Sequence, residues 1–199
     1  MKKYIAILAI LIFSSCHVEK NTQDREKLKM KDLEISILSI INAYNAKDSA
    51  TLNNFVHPKA GLYMVYRPGS LDAYKKEKKF SFSSPIWNYG PYDKVIINSD
   101  LKFEKTPELS CDSSEWNKKG LYCDLTNTAH ILSQIAENLK TLDIETSKEE
   151  IAQLYKIEED SKEVIACDDN GKSFIFYMKF IEGRWYLVIV DRAYGSCDI

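Results

Sequence analysis

Several features that commonly mark an enzyme or a metal-binding domain are missing from this sequence of 199 residues. It has no Gly-rich phosphate-binding loop, no Gly-x-Ser-x-Gly turn and no His-Glu-x-x-His helix. Histidine is scarce, with three residues, and no Cys-x-x-Cys pair offers metal-ligand spacing. These absences count against common hydrolase and metalloprotease arrangements. We therefore expect no metal and no cofactor.

Strong positive charge is also missing. The formal net charge is −2, and the only basic cluster is Lys75-Lys76-Glu77-Lys78-Lys79. Nucleic-acid binding normally needs cations concentrated on one surface, so we predict no nucleic-acid partner. We interpret the cluster as a solvated face. Hydrophobic residues make up 45% of the chain, which fits a globular domain and excludes a wholly disordered protein.

The longest apolar run follows Lys2 and Lys3, covers residues 4–13, and leads into Ser14-Ser15-Cys16. It is shorter than the roughly 20 residues that cross a bilayer, and it is typical of a secretory signal peptide over residues 1–15. The segment resembles the lipobox of bacterial lipoproteins, which implies lipidation of Cys16 and a membrane anchor. An ordinary signal peptide with an accidental cysteine is the alternative.

The stretch that follows, residues 16–31, is polar and charged, which predicts a flexible tether behind the lipidated residue. By resemblance to lipoprotein sorting signals, His17 after the lipidated position favours the outer membrane. The side of that membrane is left open. We expect residues 32–199 to form a single domain.

Four cysteines remain after Cys16, and an even number in an exported chain predicts two disulfides with three possible pairings. We favour Cys111 with Cys123, because the loop between them is short and polar. Cys167 would then pair with Cys197. Metal binding by the four is the weaker alternative, because an oxidising compartment favours bridges.

Hydrophobic spacing and turn residues predict an α+β fold. One helix face carries Leu33, Ile37, Ile40, Ile41 and Tyr44. Asp48 or Ser49 caps a short helix that must end at His57, before Pro58. A strand over 61–66, a helical turn over 70–74, and short strands at 95–97 and 101–103 follow. Leu132 to Leu139 mark a third helix, and Ser147 with Glu150 forms the capping box of a fourth.

The end of the chain gives the clearest pattern. Strands are predicted over 163–167, 173–181 and 184–191, with a tight turn at Glu182-Gly183. The hairpin is apolar on both faces, with Phe174, Phe176, Met178 and Phe180 on one and Ile175, Tyr177 and Ile181 on the other. Such a sheet must be covered on both sides or enclose a cavity.

Two stretches carry a resemblance to a known superfamily. AYNAKDSATLNNFVHPKAG (43–61) and FIFYMKFIEGRWYLVIVD (174–191) resemble the NTF2-like, or cystatin-like α+β, superfamily, as found in lipoproteins of the Bacteroidetes type. The resemblance implies helices packed on a strongly curved antiparallel sheet, shaped as a cone with a potential pocket. Residues 106–160 have no counterpart and are interpreted as a helical, disulfide-containing insertion. No reaction is implied, because one fold hosts many functions.

Candidate site residues have both a functional and a structural interpretation. His57 could act as a general base and Asp191 as a proton-transfer group, as in related dehydratases and isomerases. The structural alternatives are a helix stop for His57 and a surface ion pair for Asp191. His130 is interpreted as solvent-exposed. Candidate ligand contacts, or alternatively core residues for the aromatics, are Tyr63, Tyr66, Trp87 and Arg192.

Three functions are compatible with these observations. The favoured one is an envelope-anchored, non-catalytic module that binds a small ligand or a protein partner. The alternatives are an enzyme of the dehydratase or isomerase type that uses His57 and Asp191, and an interaction subunit that uses the loop 111–123.

Overall fold

A computed structural model describes residues 2–83, 91–126 and 129–195, with side chains from residue 23 onward. Residues 1–36 form one compact unit and residues 37–199 the other. The described elements are α1 (Lys2–Asn45), α2 (Ser49–Asn53), β1 (Leu62–Tyr66), β2 (Ala73–Glu77), β3 (Leu101–Lys102), β4 (Leu109–Ser110), β5 (Glu115–Trp116), β6 (Gly120–Asp124), α3 (Ile131–Lys140), α4 (Lys148–Glu158), β7 (Lys162–Cys167), β8 (Ser173–Ile181) and β9 (Arg184–Asp191).

Helix α1 includes the residues that were predicted as signal peptide and tether. Residues 17–31 have helical backbone, where their polar composition predicted none. The reason lies in intrinsic propensity, because this stretch is rich in Glu, Lys, Arg, Gln and Leu and contains neither Gly nor Pro. The Cys16 side chain lies outside the described part. Among the described residues, no helix combines the length and apolar character needed to span a membrane.

The two N-terminal helix predictions are confirmed. In α1, Ile37, Ile40, Ile41 and Tyr44 are buried, as their spacing indicates. Helix α2 begins after Asp48, whose carboxylate accepts a hydrogen bond from the Thr51 amide at 3.0 Å. It ends at Asn53 rather than at His57.

Helix α2 ends early because the backbone bonds tighten to i→i−3 spacing, from the Asn54 amide to Thr51 and from the Phe55 amide to Leu52. The Asn53 side chain lies at this point. It donates to the Phe80 carbonyl oxygen and accepts from the Phe80 amide, at 2.9 and 2.7 Å. These two bonds hold the end of the helix against a distant segment of the chain.

The main sheet has seven described strands in the order β2-β1-β9-β8-β7-β6-β3, and β4 pairs with β5 separately. The predicted terminal hairpin is confirmed, with Glu182 and Gly183 at its turn. The prediction of an antiparallel sheet is wrong in part, because β1 runs parallel to β9 and β3 runs parallel to β6. The described strands form an open, mixed sheet with β2 and β3 at its edges.

Both faces of the central hairpin are covered, as its apolar pattern predicts. On one face, Tyr177 and Ile189 belong to a core cluster that includes Leu132 of α3 and Leu154 of α4. On the other face, the Phe174 ring stacks on Tyr44 with centroids 3.8 Å apart. The sheet is therefore the middle layer of residues 37–199.

The middle of the chain departs most from the predictions. The helical turn predicted over 70–74 is wrong: residues 73–77 form β2, which pairs with β1. Residues 95–97 form no strand, although Val95 is buried and its amide donates to Asn45. The segment 106–160 also supplies β6, which pairs with β7 inside the main sheet. All five residues of β6 are buried, including Asp124, so the strand shows no alternation of apolar and polar residues by which it could be recognised.

Both predicted disulfides are wrong. Cys123 and Cys167 are free and buried. Cys123 lies opposite Val164, whereas Cys167 lies opposite Gly120, so strand alternation turns the two thiols to opposite faces of the sheet. Burial raises the pKa of the Cys123 thiol to about 12 and that of Cys167 to about 11. Cys197 lies outside the described residues.

The double-sided core gives a stability prediction. Phe176 is fully buried at the centre of β8, so Phe176→Ala should lower the free energy of unfolding by about 3–5 kcal/mol. Denaturant titration of the full-length chain measures this loss. Ile96→Ala is the control, since this side chain is 52% exposed. Equal stability of the Phe176→Ala and control variants would contradict a core built on both faces.

Candidate functional site

A groove of about 610 Å³ opens beside the turn end of the β8–β9 hairpin. The turn after α2, strands β1 and β2, helix α4 and the end of β8 contribute to it. Its lining consists of His57, Lys59, Ala60, Tyr63, Lys76, Gln153, Lys156, Ile157, Lys179, Phe180, Ile181 and Glu182. The volume lies within the range of small-molecule sites in proteins.

Strand pairing places the aromatic and basic groups of this groove side by side. Tyr63 of β1 lies directly opposite Lys76 of β2. The Lys76 ammonium lies 5.4 Å from the centre of the Tyr63 ring, within cation–π range. On α4, Gln153, Lys156 and Ile157 share one helix face because they are spaced i, i+3 and i+4. The groove thus combines an apolar floor with cationic walls.

His57 enters the lining through a tight turn that Gly61 closes. The Gly61 amide donates to the His57 carbonyl oxygen at 2.9 Å, and Gly61 has φ +75°, which disfavours a side chain. The His57 Nδ1 accepts from the amides of Lys59 and Ala60, at 3.2 and 3.0 Å. The imidazole packs edge-on against Tyr186. The ring is thus hydrogen-bonded to the backbone of its own turn, although α2 ends before His57, at Asn53.

These bonds also limit the chemistry of His57. An Nδ1 that accepts two backbone N–H groups carries no proton, so the neutral ring carries its proton on Nε2. Neither nitrogen then has a lone pair free to take a proton from a substrate. His57 can offer a ligand a hydrogen-bond donor rather than a general base.

Four lysines line the groove, against one carboxylate, Glu182. Lys179 is half-buried and donates to the Glu159 carbonyl oxygen. Burial lowers the pKa of the Lys179 ammonium, and the nearby Lys156 contributes to the lowering; Glu159 and Asp160 oppose it. The site is cationic and partly desolvated.

Asp191 lies in the core rather than in a surface ion pair. It is almost fully buried at the end of β9, and its Oδ1 accepts from the amides of Ala193 and Tyr194, at 2.7 and 3.1 Å. Desolvation raises the pKa of this carboxyl group to about 6, although the two backbone hydrogen bonds oppose the rise.

The two predicted proton-transfer residues serve different parts of the fold. His57 packs on Tyr186, which precedes Asp191 by five residues along β9. At about 3.3 Å per residue, those strand positions are about 16 Å apart. Asp191 is not among the groove residues, and its Oδ1 is engaged by backbone amides. The structure therefore brings His57, but not Asp191, to the groove.

The other predicted ligand contacts are dispersed. Tyr63 lines the groove, whereas Tyr66 and Arg192 do not. The Arg192 guanidinium lies over the Tyr92 ring, 4.2 Å from its centre. Trp87 lies outside the described residues. His130 precedes α3 and borders a second, more open hollow of about 730 Å³ on the outer side of α4.

A buried polar network escaped sequence reasoning. Glu163 of β7 accepts hydrogen bonds from the Tyr177 and Thr106 hydroxyl groups, at 2.7 and 2.6 Å. Desolvation raises the pKa of Tyr177, and the Glu163 charge adds to the rise. The network satisfies a carboxylate inside the core. A carboxylate inside the apolar strand β7 was the available signal in the sequence. Only the strand register shows that Glu163 lies opposite Tyr177.

The groove lysines were also missed, because they come from four separate segments of the chain. Lys76 belongs to the basic cluster that was interpreted as a solvated face. A correct β2 assignment would have placed it opposite Tyr63.

Comparison with known proteins adds nothing to what the fold and the site show. No family model, no curated protein and no solved structure matches the chain. In the described part of the chain, no three His, Cys, Asp or Glu side chains come together as a set of metal ligands.

Asp191 gives a prediction about pH and stability. Its pKa rises from an ordinary 3.8 to about 6 in the folded chain. The folded state therefore holds a proton that the unfolded state releases. The resulting stabilisation is complete below pH 3.8 and is lost as the pH rises through 6. At 1.36 kcal/mol per pKa unit, the loss amounts to about 3 kcal/mol.

Asp191→Asn should remove this contribution, because an amide keeps an acceptor for Ala193 and Tyr194 but does not titrate. Denaturant unfolding of the two chains from pH 4 to 7 tests the prediction, and the difference in stability should change steeply between pH 4 and 6. Asp169→Asn, at an exposed turn position, serves as the control. Parallel pH profiles for the wild type and Asp191→Asn would refute it.

Proposed function

We propose that this protein is an envelope-anchored, non-catalytic module that binds a small ligand in the groove beside the β8–β9 turn. The observation that carries the proposal is the groove itself: apolar and aromatic residues at its base, with several convergent polar groups around them. That combination is typical of small-molecule sites.

The hydrogen bonds support binding rather than proton transfer. The His57 Nδ1 is engaged by two amides, and Asp191 is engaged by two others in the core. A general base must reach the proton that it takes, with a free lone pair. His57 would have to lose these amide bonds before its Nδ1 could take a proton, and Asp191 lies outside the groove.

The proposal of a lipid anchor is based on the amino-acid sequence. The charged start, the apolar run and Ser14-Ser15-Cys16 favour export and acylation of Cys16, with the outer membrane as the site. We also retain the NTF2-like cone as part of the proposal. It is supported by helices packed on a large mixed sheet and by a groove between α4 and that sheet.

The dye 8-anilinonaphthalene-1-sulfonate is a probe for the groove, and binding is followed by its fluorescence. The full-length chain with Cys16→Ser is used, because it carries no acyl chain that could bind the dye. Ala60→Trp fills the groove and should weaken binding about tenfold or more by steric exclusion.

Ala152→Trp is the matched control, since it places the same side chain in the second hollow, on the outer side of α4. It should leave the affinity for the dye within about twofold of the parent chain. Binding that survives Ala60→Trp and is lost in Ala152→Trp would place the ligand in the second hollow and contradict the proposal.

Acylation of Cys16 is tested separately in bacterial cells fed an alkyne-labelled fatty acid. The wild-type chain should carry the label and sediment with membranes, and Cys16→Ser should do neither. Ser14→Ala keeps a small residue before the cysteine and should be labelled like the wild type. A labelled Cys16→Ser chain would refute acylation at this residue.

A further inference from the structure

We infer that the ligand of this groove is a small organic anion with an apolar body, held at its acidic group by Lys76, Lys156 and Lys179. This inference rests on the proposed function and adds the chemical class of the ligand to it. The lining charges, the ion pairs elsewhere and the apolar surface each point to the same class.

The charge of the groove differs in sign from that of the whole chain. The chain has a formal charge of −2, whereas the lining contains four lysines and one glutamate. Lys59 stands with the three named lysines at the rim. Within the groove, the Lys156 charge acts on the Lys179 ammonium group, so these two cations repel one another, and an anion between them would remove that repulsion.

The groove lysines also stay out of the ion pairs found in the described residues. Those pairs join Arg67 to Asp72, Lys75 to Glu77, Lys105 to Glu108 and Lys172 to Asp93. Lys75 is therefore matched by a carboxylate, whereas its neighbour Lys76 lies over the Tyr63 ring.

Lys179 is the most constrained of the groove lysines. Its side chain is half-buried, and its ammonium group donates to a neutral acceptor, the Glu159 carbonyl oxygen. The Glu159 and Asp160 charges act on this ammonium group, but neither carboxylate forms one of the ion pairs found in the described residues. A carboxylate, sulfonate or phosphate group of a ligand would supply a charged hydrogen-bond acceptor. The His57 ring is a further hydrogen-bond donor in the lining.

The apolar part of the lining indicates the rest of the ligand. Ala60, Ile157, Phe180 and Ile181 contribute carbon surface, and Tyr63 contributes a ring. A small inorganic anion would leave this surface in water, whereas an organic body would cover it. The class is thus an amphiphilic anion rather than a bare ion.

The test compares two dyes with the same aromatic body. Both 8-anilinonaphthalene-1-sulfonate and the uncharged N-phenyl-1-naphthylamine are titrated into the Cys16→Ser full-length chain. The combined variant Lys76→Gln, Lys156→Gln and Lys179→Gln should weaken sulfonate binding about tenfold, because it removes three charge pairs that are each modest in strength at an exposed site. Binding of the neutral dye should change less than about twofold.

A matched variant, Lys78→Gln, Lys94→Gln and Lys140→Gln, removes the same charge from exposed positions outside the groove. It should leave both affinities near their parent values. Circular dichroism and thermal unfolding confirm that each variant is folded.

The outcomes separate this inference from the proposed function. Three results would overturn the anion preference. The groove variant could lose affinity for both dyes equally, or lose affinity for neither. The outside variant could also weaken sulfonate binding as much as the groove variant does. Failure of Ala60→Trp to block the sulfonate would overturn the groove as a binding site. A tenfold loss confined to the sulfonate and to the groove variant supports the inference.

Discussion

Burial of the β8–β9 hairpin on both faces is the constraint on which the rest of the structure depends. These strands lie at the middle of the sheet, and the side chains from Phe174 to Met178 are all buried. Each face must be removed from water by its own layer, at roughly 25 cal/mol per Å² of apolar surface. Helices α3 and α4 cover one face, while Tyr44 of α1 and the aromatic segment near Phe80 cover the other.

A sheet buried on both sides leaves polar side chains no route to water. Glu163 accepts from two hydroxyl donors, one at each oxygen, and Asp191 accepts from two backbone amides at Oδ1, so both carboxyl groups find hydrogen-bond donors inside the core. The raised pKa of Asp191 shows that the amides do not fully offset its desolvation. These carboxylates are better explained by the satisfaction of buried groups than by proton transfer to a substrate.

The sequence predicted correctly those features that depend on neighbouring residues, namely turns and helix caps. The terminal hairpin follows from two apolar runs joined by a two-residue turn. The caps follow from Asp48 and Ser147, although Glu150 accepts from Tyr74 instead of closing the capping box. The parallel pairing of β1 with β9 joins segments more than a hundred residues apart, and no local pattern encodes it. The disulfide prediction failed for the same reason, since chain spacing alone cannot show that Cys123 and Cys167 are buried as free thiols within β6 and β7.

The groove arises where the cover of the hairpin ends. Along β8, burial is complete from Phe174 to Met178 and only partial from Lys179 to Ile181. An apolar strand end without cover is costly, and lysines reduce the cost by laying their aliphatic stems on it while their ammonium groups reach outward. A surface built this way is apolar at the base and cationic at the rim. A ligand with an apolar body and one acidic group is complementary to both layers, and it would complete the cover that the helices leave unfinished.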